Sequence, residues 1–327
     1  MAEEFLISGG IPRYFGELME GHAFKKAELA KINFTNNTYE SKFSYTTPRE
    51  YRSDILPSLG FTGISVYGNK IYAPTRTEVL VLNMHDYSVI DIIRDPLFND
   101  IHSVHVLGDI LYVVVTGLDA LFSYNLNTGE RAIANVLGKN PFHRYSENDN
   151  LNKVHSLKPH EAHPNHVFTI NNEIWVTRLK QQDAVCISDL NKRIIIEEGL
   201  PHDGYVKDNL VYFTTVNGYV IVYDINSLKK VNVIKLTGPE SNNKTPLGWC
   251  RGICVNDDNF YVGFTLLRTT KITENIGWVK TMIDVNEICK KPAPTRIEKY
   301  SLKGECLDCY YLPKDSIQSI FSIHKLN

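Results

Sequence analysis

Pro201-His202-Asp203-Gly204-Tyr205-Val206 is the clearest copy of a short motif that recurs along this chain. The motif runs through a polar turn into a second strand that ends on an aromatic ring, here Tyr212. The other copies begin at Phe61, Ile101, Pro164 and Cys250, and their second strands end on Tyr72, Tyr112, Trp175 and Tyr261. A repeated strand–turn–strand unit of this size is typical of a β-propeller.

The repeat predicts an all-β fold: one six-bladed β-propeller domain over residues 1–327. Strands from both chain ends would close the sixth blade and so remove sheet edges that could aggregate. Five or seven blades remain alternatives, because the terminal regions lack the motif. Blade-like repeats lie near 58–94, 100–136, 164–198, 201–236 and 248–300, and the sixth blade would come from 1–50, from 301–327, or from both.

Some boundaries inside this scheme can be predicted. We expect the third strand of the second repeat at 119–125 and the fourth strand of the third repeat at 193–197. We place segments 309–312 and 319–324 with the sixth blade. The longest irregular stretch, 137–163, is polar and rich in histidine, and we expect it to lie over one face of the propeller.

The overall composition excludes several function classes. The 35 Lys and Arg residues nearly balance the 37 Asp and Glu residues, so no nucleic-acid footprint or membrane-surface patch is expected. No stretch approaches the roughly 20 apolar residues of a membrane span. The N-terminus, Met1 to Phe5, lacks the basic start and apolar run of a signal peptide, which favours a cytoplasmic protein.

The six cysteines do not form a clear metal or disulfide pattern. Cys306 and Cys309 have CxxC spacing with Cys289 upstream, but a zinc site normally shows a second clear ligand pair. We therefore expect Cys306 and Cys309 to be reduced thiols on a half-buried strand.

The repeat brings separated residues into register. Counting back ten residues from each aromatic ring gives a first column, and the next residue of each copy gives a second column. Because equivalent positions of a propeller point toward one axis, each column should converge at the mouth of the central channel. The first column is Thr62, His102, Asn165, His202 and Arg251, and the second is Gly63, Ser103, His166, Asp203 and Gly252.

These residue types suggest chemistry at the mouth. Imidazole transfers protons near neutral pH and binds metals, and the arginine fork binds carboxylate or phosphate. We predict His102, His202 and Arg251 as catalytic residues. The predicted substrate-binding residues are Asn165, Asp203, Trp249 and Thr62. A site for one divalent metal ion, if the protein binds one, would use His102, His163, His166 and His202.

A structural explanation is also available for the same residues. Propeller channels are wet, and polar side chains there often only satisfy strand ends and waters. His105 falls beyond the mouth and is expected to be a core histidine with a satisfied hydrogen bond. His155 and His160 belong to the long loop, and either one could reach the site. No GxSxG, P-loop or HExxH motif occurs in the sequence.

The order of these motifs resembles an uncharacterised bacterial propeller family, some of whose members are described together with tetratricopeptide repeats. The resemblance covers about residues 58–265 and implies a propeller whose pattern positions are His102, His163, Asn165, His202 and Arg251. This chain has Ser103 where the family has Asp, and His166 where it has Gly. The resemblance rests on Phe61-Thr62-Gly63-Ile64, Ile101-His102-Ser103, His163-Pro164-Asn165-His166, Leu200-Pro201-His202-Asp203 and Arg251-Gly252-Ile253.

The leading hypothesis is a small-molecule enzyme at the channel mouth, a lyase, hydrolase or isomerase acting on a polar metabolite or natural-product intermediate. The alternative is a non-catalytic propeller that binds a protein or a ligand, with histidines that only line a wet channel. A closed polar pocket with perturbed histidine pKa values would favour the enzyme. An exposed apolar face would favour the binding module.

Overall fold

The computed structural model describes residues 3–13, 24–55, 57–238, 247–265 and 293–326. In these ranges the chain forms six four-stranded antiparallel sheets. The first three strands are β1 (Glu4–Pro12), β2 (Phe24–Asn33) and β3 (Thr38–Tyr45).

Five sheets then follow in chain order, and we number them as blades one to five. Blade one contains β4 (Ser65–Tyr67), β5 (Lys70–Pro74), β6 (Glu78–Asn83) and β7 (Val89–Arg94). Blade two contains β8 (Ile101–Leu107), β9 (Ile110–Val115), β10 (Ala120–Asn125) and β11 (Arg131–Asn135). Blade three contains β12 (Pro164–Ile170), β13 (Glu173–Arg178), β14 (Asp183–Cys186) and β15 (Asp189–Ile195).

Blade four contains β16 (Tyr205–Lys207), β17 (Leu210–Thr215), β18 (Tyr219–Asp224) and β19 (Lys230–Lys235). Blade five contains β20 (Trp249–Val255), β21 (Asn259–Thr265), β22 (Arg296–Ser301) and β23 (Cys306–Tyr311). Three short 3₁₀ helices complete the described elements, at Arg49–Tyr51, Thr116–Leu118 and Leu151–Lys153.

The last strand, β24 (Ile320–Lys325), closes the ring. It is the inner strand of the sixth blade and pairs with β1, for example Ile323 with Ile7. The sheet order β24-β1-β2-β3 thus joins both chain ends in one blade. The prediction of a six-bladed propeller closed by both termini is confirmed.

The repeat register has a direct structural basis. The aromatic residue of each second strand pairs with the inner strand of its own blade, so all five copies share one register. The pairs are Ser65 with Tyr72, His105 with Tyr112, Phe168 with Trp175, Tyr205 with Tyr212, and Cys254 with Tyr261. Gly68, Gly108 and Asp208 have positive φ in the intervening turns, as tight hairpins require.

The apolar core is divided among the blade interfaces. Six clusters of buried side chains are described, and each lies between two neighbouring sheets. Between blades three and four, for example, Trp175 and Phe213 are completely buried. Removal of these faces from water stabilises the ring, and no helical layer is needed.

Three boundaries differ from the sequence prediction. The third strand of blade two starts at Ala120 because Asp119 has a φ of 51° and lies outside the sheet. The fourth strand of blade three starts at Asp189, earlier than expected, since Asp189 already pairs with Cys186. Blade five extends to Tyr311, because β23 pairs with β22, for example Tyr310 with Ile297. Segment 309–312 therefore begins within β23 and does not belong to the sixth blade.

No helix in the described ranges is long and apolar enough to cross a membrane.

Candidate functional site at the channel mouth

The six inner strands begin at one end of the central channel, which we call the mouth. The first and second columns lie there, on β8, β12 and β20 and just before β4 and β16. In the sixth blade, Ser322 occupies the second column, because it pairs with Ser8 and binds the next blade as Ser103 does. Phe321 precedes it and takes the first-column position.

The second column joins neighbouring blades. Val167 N–H donates to Ser103 Oγ (3.0 Å), and Gly252 N–H donates to Asp203 Oδ2 (2.8 Å). Ile64 N–H donates to Ser322 Oγ at 3.3 Å. Each acceptor belongs to one blade and each donor to the next. These side chains therefore satisfy buried backbone groups across the blade interfaces.

Asp203 is the most heavily bonded member of this column. It is 4% exposed. Besides Gly252 N–H, its carboxylate accepts a hydrogen bond from the Thr214 hydroxyl and contacts His202 Nδ1 at 3.1 Å. Burial alone would raise the pKa of Asp203, but His202 and these hydrogen bonds produce a net lowering. Asp203, predicted to bind substrate, is thus engaged inside the protein.

His166 is the other second-column residue from the predicted site. Its ring stacks on Phe168 with centroids 6.3 Å apart. Burial lowers its pKa to about 4 in spite of the nearby Asp203 carboxylate. Farther along the channel, the half-buried His105 is hydrogen-bonded to Thr169 Oγ1 at 2.8 Å, which confirms the expected hydrogen bond.

His102 lies at a bulge of β8, where Ile101 and Ser103 pair with consecutive residues of β9. A bulge re-aims the extra residue, and here it leaves His102 at the mouth. Its Nδ1 atom lies 3.0 Å from the carbonyl oxygen of Asp100. Burial lowers the pKa of His102 to about 4, and this effect outweighs the attraction of the Asp100 carboxylate.

His163 and His160 form a pair beside His102. Their Nδ1 atoms are 2.9 Å apart, and the ring centroids of His163 and His102 are 5.0 Å apart. Burial lowers the pKa of His163 well below its usual value, and the pKa of His160 is lowered for the same reason. Asp100 lies on the far side of His160, with Oδ2 3.9 Å from His160 Nε2.

The loop that carries this pair is fixed by Asp119. This carboxylate is fully buried and accepts hydrogen bonds from three consecutive backbone N–H groups, those of Glu161 (2.6 Å), Ala162 (2.9 Å) and His163 (2.8 Å). Arg144, from the same loop, reaches Asp119 Oδ2 at 3.3 Å. Part of the 137–163 stretch is therefore bound firmly to blade two, with its two histidines beside the mouth.

The remaining first-column residues differ in their surroundings. Asn165 is 1% exposed and donates from Nδ2 to the Pro201 carbonyl (3.0 Å), while its Oδ1 has no hydrogen-bond partner among the described residues. Thr62 is buried, and its hydroxyl lies 3.4 Å from the Pro74 carbonyl. The Arg251 guanidinium lies over the Phe321 ring, 4.3 Å from its centroid. Trp249 is half-buried at the start of β20.

The structure therefore brings some predicted residues together more closely than others. His102 and His163 are in ring contact, and His202 is near enough to affect the electrostatics of both. Gly252, the neighbour of Arg251, binds Asp203, the carboxylate beside His202. Sequence reasoning missed Asp100, Asp119 and Phe321. The polar loop rich in histidine was the available indication for His160.

No group of three or more His, Cys, Asp or Glu side chains suited to a metal ion is present in the described ranges. Cys306 and Cys309 lie on the half-buried strand β23, as expected, and Cys289 lies outside the described residues. Burial raises the pKa of the Cys306 thiol to about 11 and that of Cys309 to about 12, so both thiols are protonated at neutral pH.

No family model and no curated protein matches this chain. That result is compatible with an uncharacterised family, and it gives no support to an association with tetratricopeptide repeats.

Solved structures give a likeness of fold. The chain is similar to a chain in the crystal structure of a nidogen/laminin complex, with 10% identity, a TM-score of 0.59, and coverage of 98% of this chain and 97% of that chain. It also matches the computationally designed Ika8 protein at 11% identity, with a TM-score of 0.44 and coverage of 90% of this chain and 73% of that chain. At these identities the nidogen/laminin likeness concerns the fold alone.

Proposed function

We propose that the mouth of the channel binds a small polar molecule and that its histidines transfer a proton to or from it. Elimination, isomerisation and hydrolysis all require such a step. The observation that carries this proposal is that the mouth imidazoles His102, His163 and His202 use Nδ1 inside the protein and have no protein partner at Nε2 among the described contacts.

The hydrogen bonds at Nδ1 indicate which ring nitrogen carries the proton. His102 Nδ1 faces the Asp100 carbonyl oxygen, which can only accept, so this nitrogen must hold the proton. His202 Nδ1 faces the Asp203 carboxylate, and the same argument applies. A neutral ring in this tautomer carries a lone pair on Nε2 that is available to a ligand.

Low histidine pKa values support the neutral form. With a pKa of about 4, His102 is uncharged near neutral pH and offers a lone pair in place of a positive charge. A ligand with an acidic O–H, N–H or C–H group matches such an acceptor. An anionic group on the ligand would raise the histidine pKa on binding and thereby favour proton uptake.

Two further residues fit roles in binding. The planar Arg251 guanidinium, oriented by Phe321, is suited to a carboxylate or phosphate group of the ligand. Asn165 Oδ1 is an acceptor without a partner among the described residues. In this proposal Asp203 acts through His202: its carboxylate holds the imidazole in one tautomer and does not contact the ligand.

Neutral imidazoles also bind divalent metals, so the first experiment must separate metal from proton chemistry. We would measure the metal content of the purified protein by elemental mass spectrometry, with His102→Gln and His202→Gln variants. The matched control is His85→Gln, because His85 is exposed on the turn after β6. If the wild type holds near-stoichiometric metal and both mouth variants lose it, a metal-assisted reaction would replace the proposed proton transfer.

The same four proteins would then be screened by thermal shift against small carboxylates, lactones and sugar acids, and each hit would be tested for turnover by mass spectrometry. We expect a hit that stabilises the wild type and the control but not the mouth variants, and that is converted. Binding without conversion would support the non-catalytic alternative. Equal stabilisation of all four proteins would refute a ligand site at the mouth.

A further inference from the structure

We propose that His163 is the proton acceptor of the mouth, and that His160 and Asp100 form a relay that moves the resulting charge away from the ligand. This inference rests on the proposed function and assigns its central step to one atom, His163 Nε2.

The three groups form a continuous chain behind the mouth. His163 Nδ1 lies 2.9 Å from His160 Nδ1, and His160 Nε2 lies 3.9 Å from Asp100 Oδ2. Arg76 lies at the far end, with its Nη2 3.2 Å from Asp100 Oδ1. His160 is 4% exposed, so water competes little for its hydrogen bonds.

The position of Asp100 determines the direction of the hydrogen bond between His163 and His160. One Nδ1 must donate and the other must accept. If His160 donated, its Nε2 lone pair would face the Asp100 carboxylate, and two acceptors would oppose each other. If His163 donates, the His160 Nε2–H lies 3.9 Å from Asp100 Oδ2, where the carboxylate charge favours it without a direct hydrogen bond. The second arrangement leaves the His163 Nε2 lone pair open.

In the proposed reaction one proton passes from the ligand to His163 and a second passes from His163 to His160. A ligand O–H, N–H or C–H bond breaks, its electron pair stays on the ligand, and the proton binds to His163 Nε2. The Nδ1 proton of His163 then moves to His160 Nδ1. His163 is again neutral, in its other tautomer, and the positive charge lies on His160 beside the Asp100 carboxylate. Return of the proton to another ligand atom completes an isomerisation or, with a departing group, an elimination.

The backbone of Asp100 and His163 has an uncommon conformation. Asp100 and His163 have φ values of 56° and 54°, in the left-handed region that disfavours residues other than glycine. Such a conformation is strained unless the surrounding structure holds it. The three N–H groups bound by Asp119 include that of His163 and help to maintain its conformation.

The relay can be tested without a known ligand. We would label the full-length protein with ¹⁵N-histidine and assign the ring nitrogens of His163 by NMR near neutral pH, with His163→Gln to identify its signals. In the wild type we expect His163 to be protonated at Nδ1 and unprotonated at Nε2, with an excess of about tenfold over the other tautomer.

Asp100→Asn should reduce this excess to near equality, because the neutral amide no longer attracts the Nε2 proton of His160. His160→Leu should also reduce it, while His85→Gln should leave it unchanged. A wild-type His163 protonated at Nε2, or an Asp100→Asn variant with an unaltered tautomer ratio, would overturn the relay.

These outcomes are independent of the ligand screen. A converted ligand together with the wrong tautomer would remove the relay and leave the proposed function standing. A mouth that binds nothing would remove the proposed function whatever the NMR spectra show. If His160→Leu does not fold, Asp100→Asn still decides the question, since it preserves the side-chain volume.

Discussion

Adjacent residues on the inner strands, one position apart in sequence, have very different surroundings. In the second column, Ser103, Asp203 and Ser322 accept hydrogen bonds from the backbone of the next blade. In the first column, His102 and His202 engage one ring nitrogen in the protein and have no protein partner at the other among the described contacts. Polar residues at this propeller mouth therefore fall into two kinds, those whose hydrogen-bonding capacity is already used within the protein and those with a donor or acceptor left for a ligand.

Asp203 offers the most direct test of the structural role of the second column. Asp203→Ala leaves the buried Gly252 N–H and the Thr214 hydroxyl without their acceptor, and we expect the free energy of unfolding to fall by about 3 kcal/mol. Urea denaturation measures this loss. Asp257→Ala is the control, because Asp257 is exposed and pairs only with Lys207 in the described contacts. A loss equal to that of the control would show that the second column is not structural.

A smaller loss is expected at Gly63, where the second column leaves no space for a side chain. A Cβ atom there would lie 2.9 Å from Ser103 Cβ and 3.1 Å from the His102 carbonyl oxygen. Gly63→Ala should lower the free energy of unfolding by about 2 kcal/mol through overpacking. Gly60→Ala provides the control, because its Cβ would make ordinary contacts of 3.5 Å or more. Equal urea midpoints for the two variants would contradict the close approach of blades one and two.

A third test uses the pH dependence of stability at His324. Its Nε2 lies 3.2 Å from the Ile64 carbonyl. Burial lowers the pKa of His324 to about 4 from an ordinary 6.5. Between these values the unfolded chain binds a proton that the folded chain does not, so stability falls as the pH is lowered through this window. From about pH 7 to about pH 5, the contribution of His324 should be on the order of 2 kcal/mol.

Urea denaturation of the wild type and of His324→Gln at both pH values measures this contribution. We expect a flatter pH dependence in the variant. The comparison stays at about pH 5 and above because carboxyl groups titrate below that range. Parallel pH profiles would mean that His324 is not held neutral in the folded protein.

The smallest effect on stability is expected in the first column. His102→Gln removes a partly exposed ring with one hydrogen bond, and we expect the free energy of unfolding to change by less than about 1 kcal/mol. The same urea experiment compares it with Asp203→Ala. If His102→Gln destabilised the protein as much as Asp203→Ala, the two columns would have to be treated as one structural network.

Much of the fold could be predicted from local patterns. The aromatic residue of each second strand and the polar turn before it determine the strand pairing within a blade, and both are visible in sequence. The aromatic lies inside that strand, as Tyr212 does in β17 (Leu210–Thr215), and the prediction that it ends the strand is wrong. The site was predictable only in part. His102 and His202 occupy one column of the repeat, and the family resemblance indicated His163. Asp100 and Asp119 lie outside both and act through loop contacts.

Sequence patterns are sufficient to predict the repeat, the register of five inner strands and the columns of residues near one axis, because each follows from pairing between neighbouring segments of the chain. Which column joins the blades is visible only in the folded protein. Bulges occur after Ile101, Pro164 and Arg251, and each shifts its strand by one residue relative to its partner. A shift of one residue moves a side chain to the other side of its strand. The surroundings of a side chain next to a bulge therefore depend on the contacts between blades.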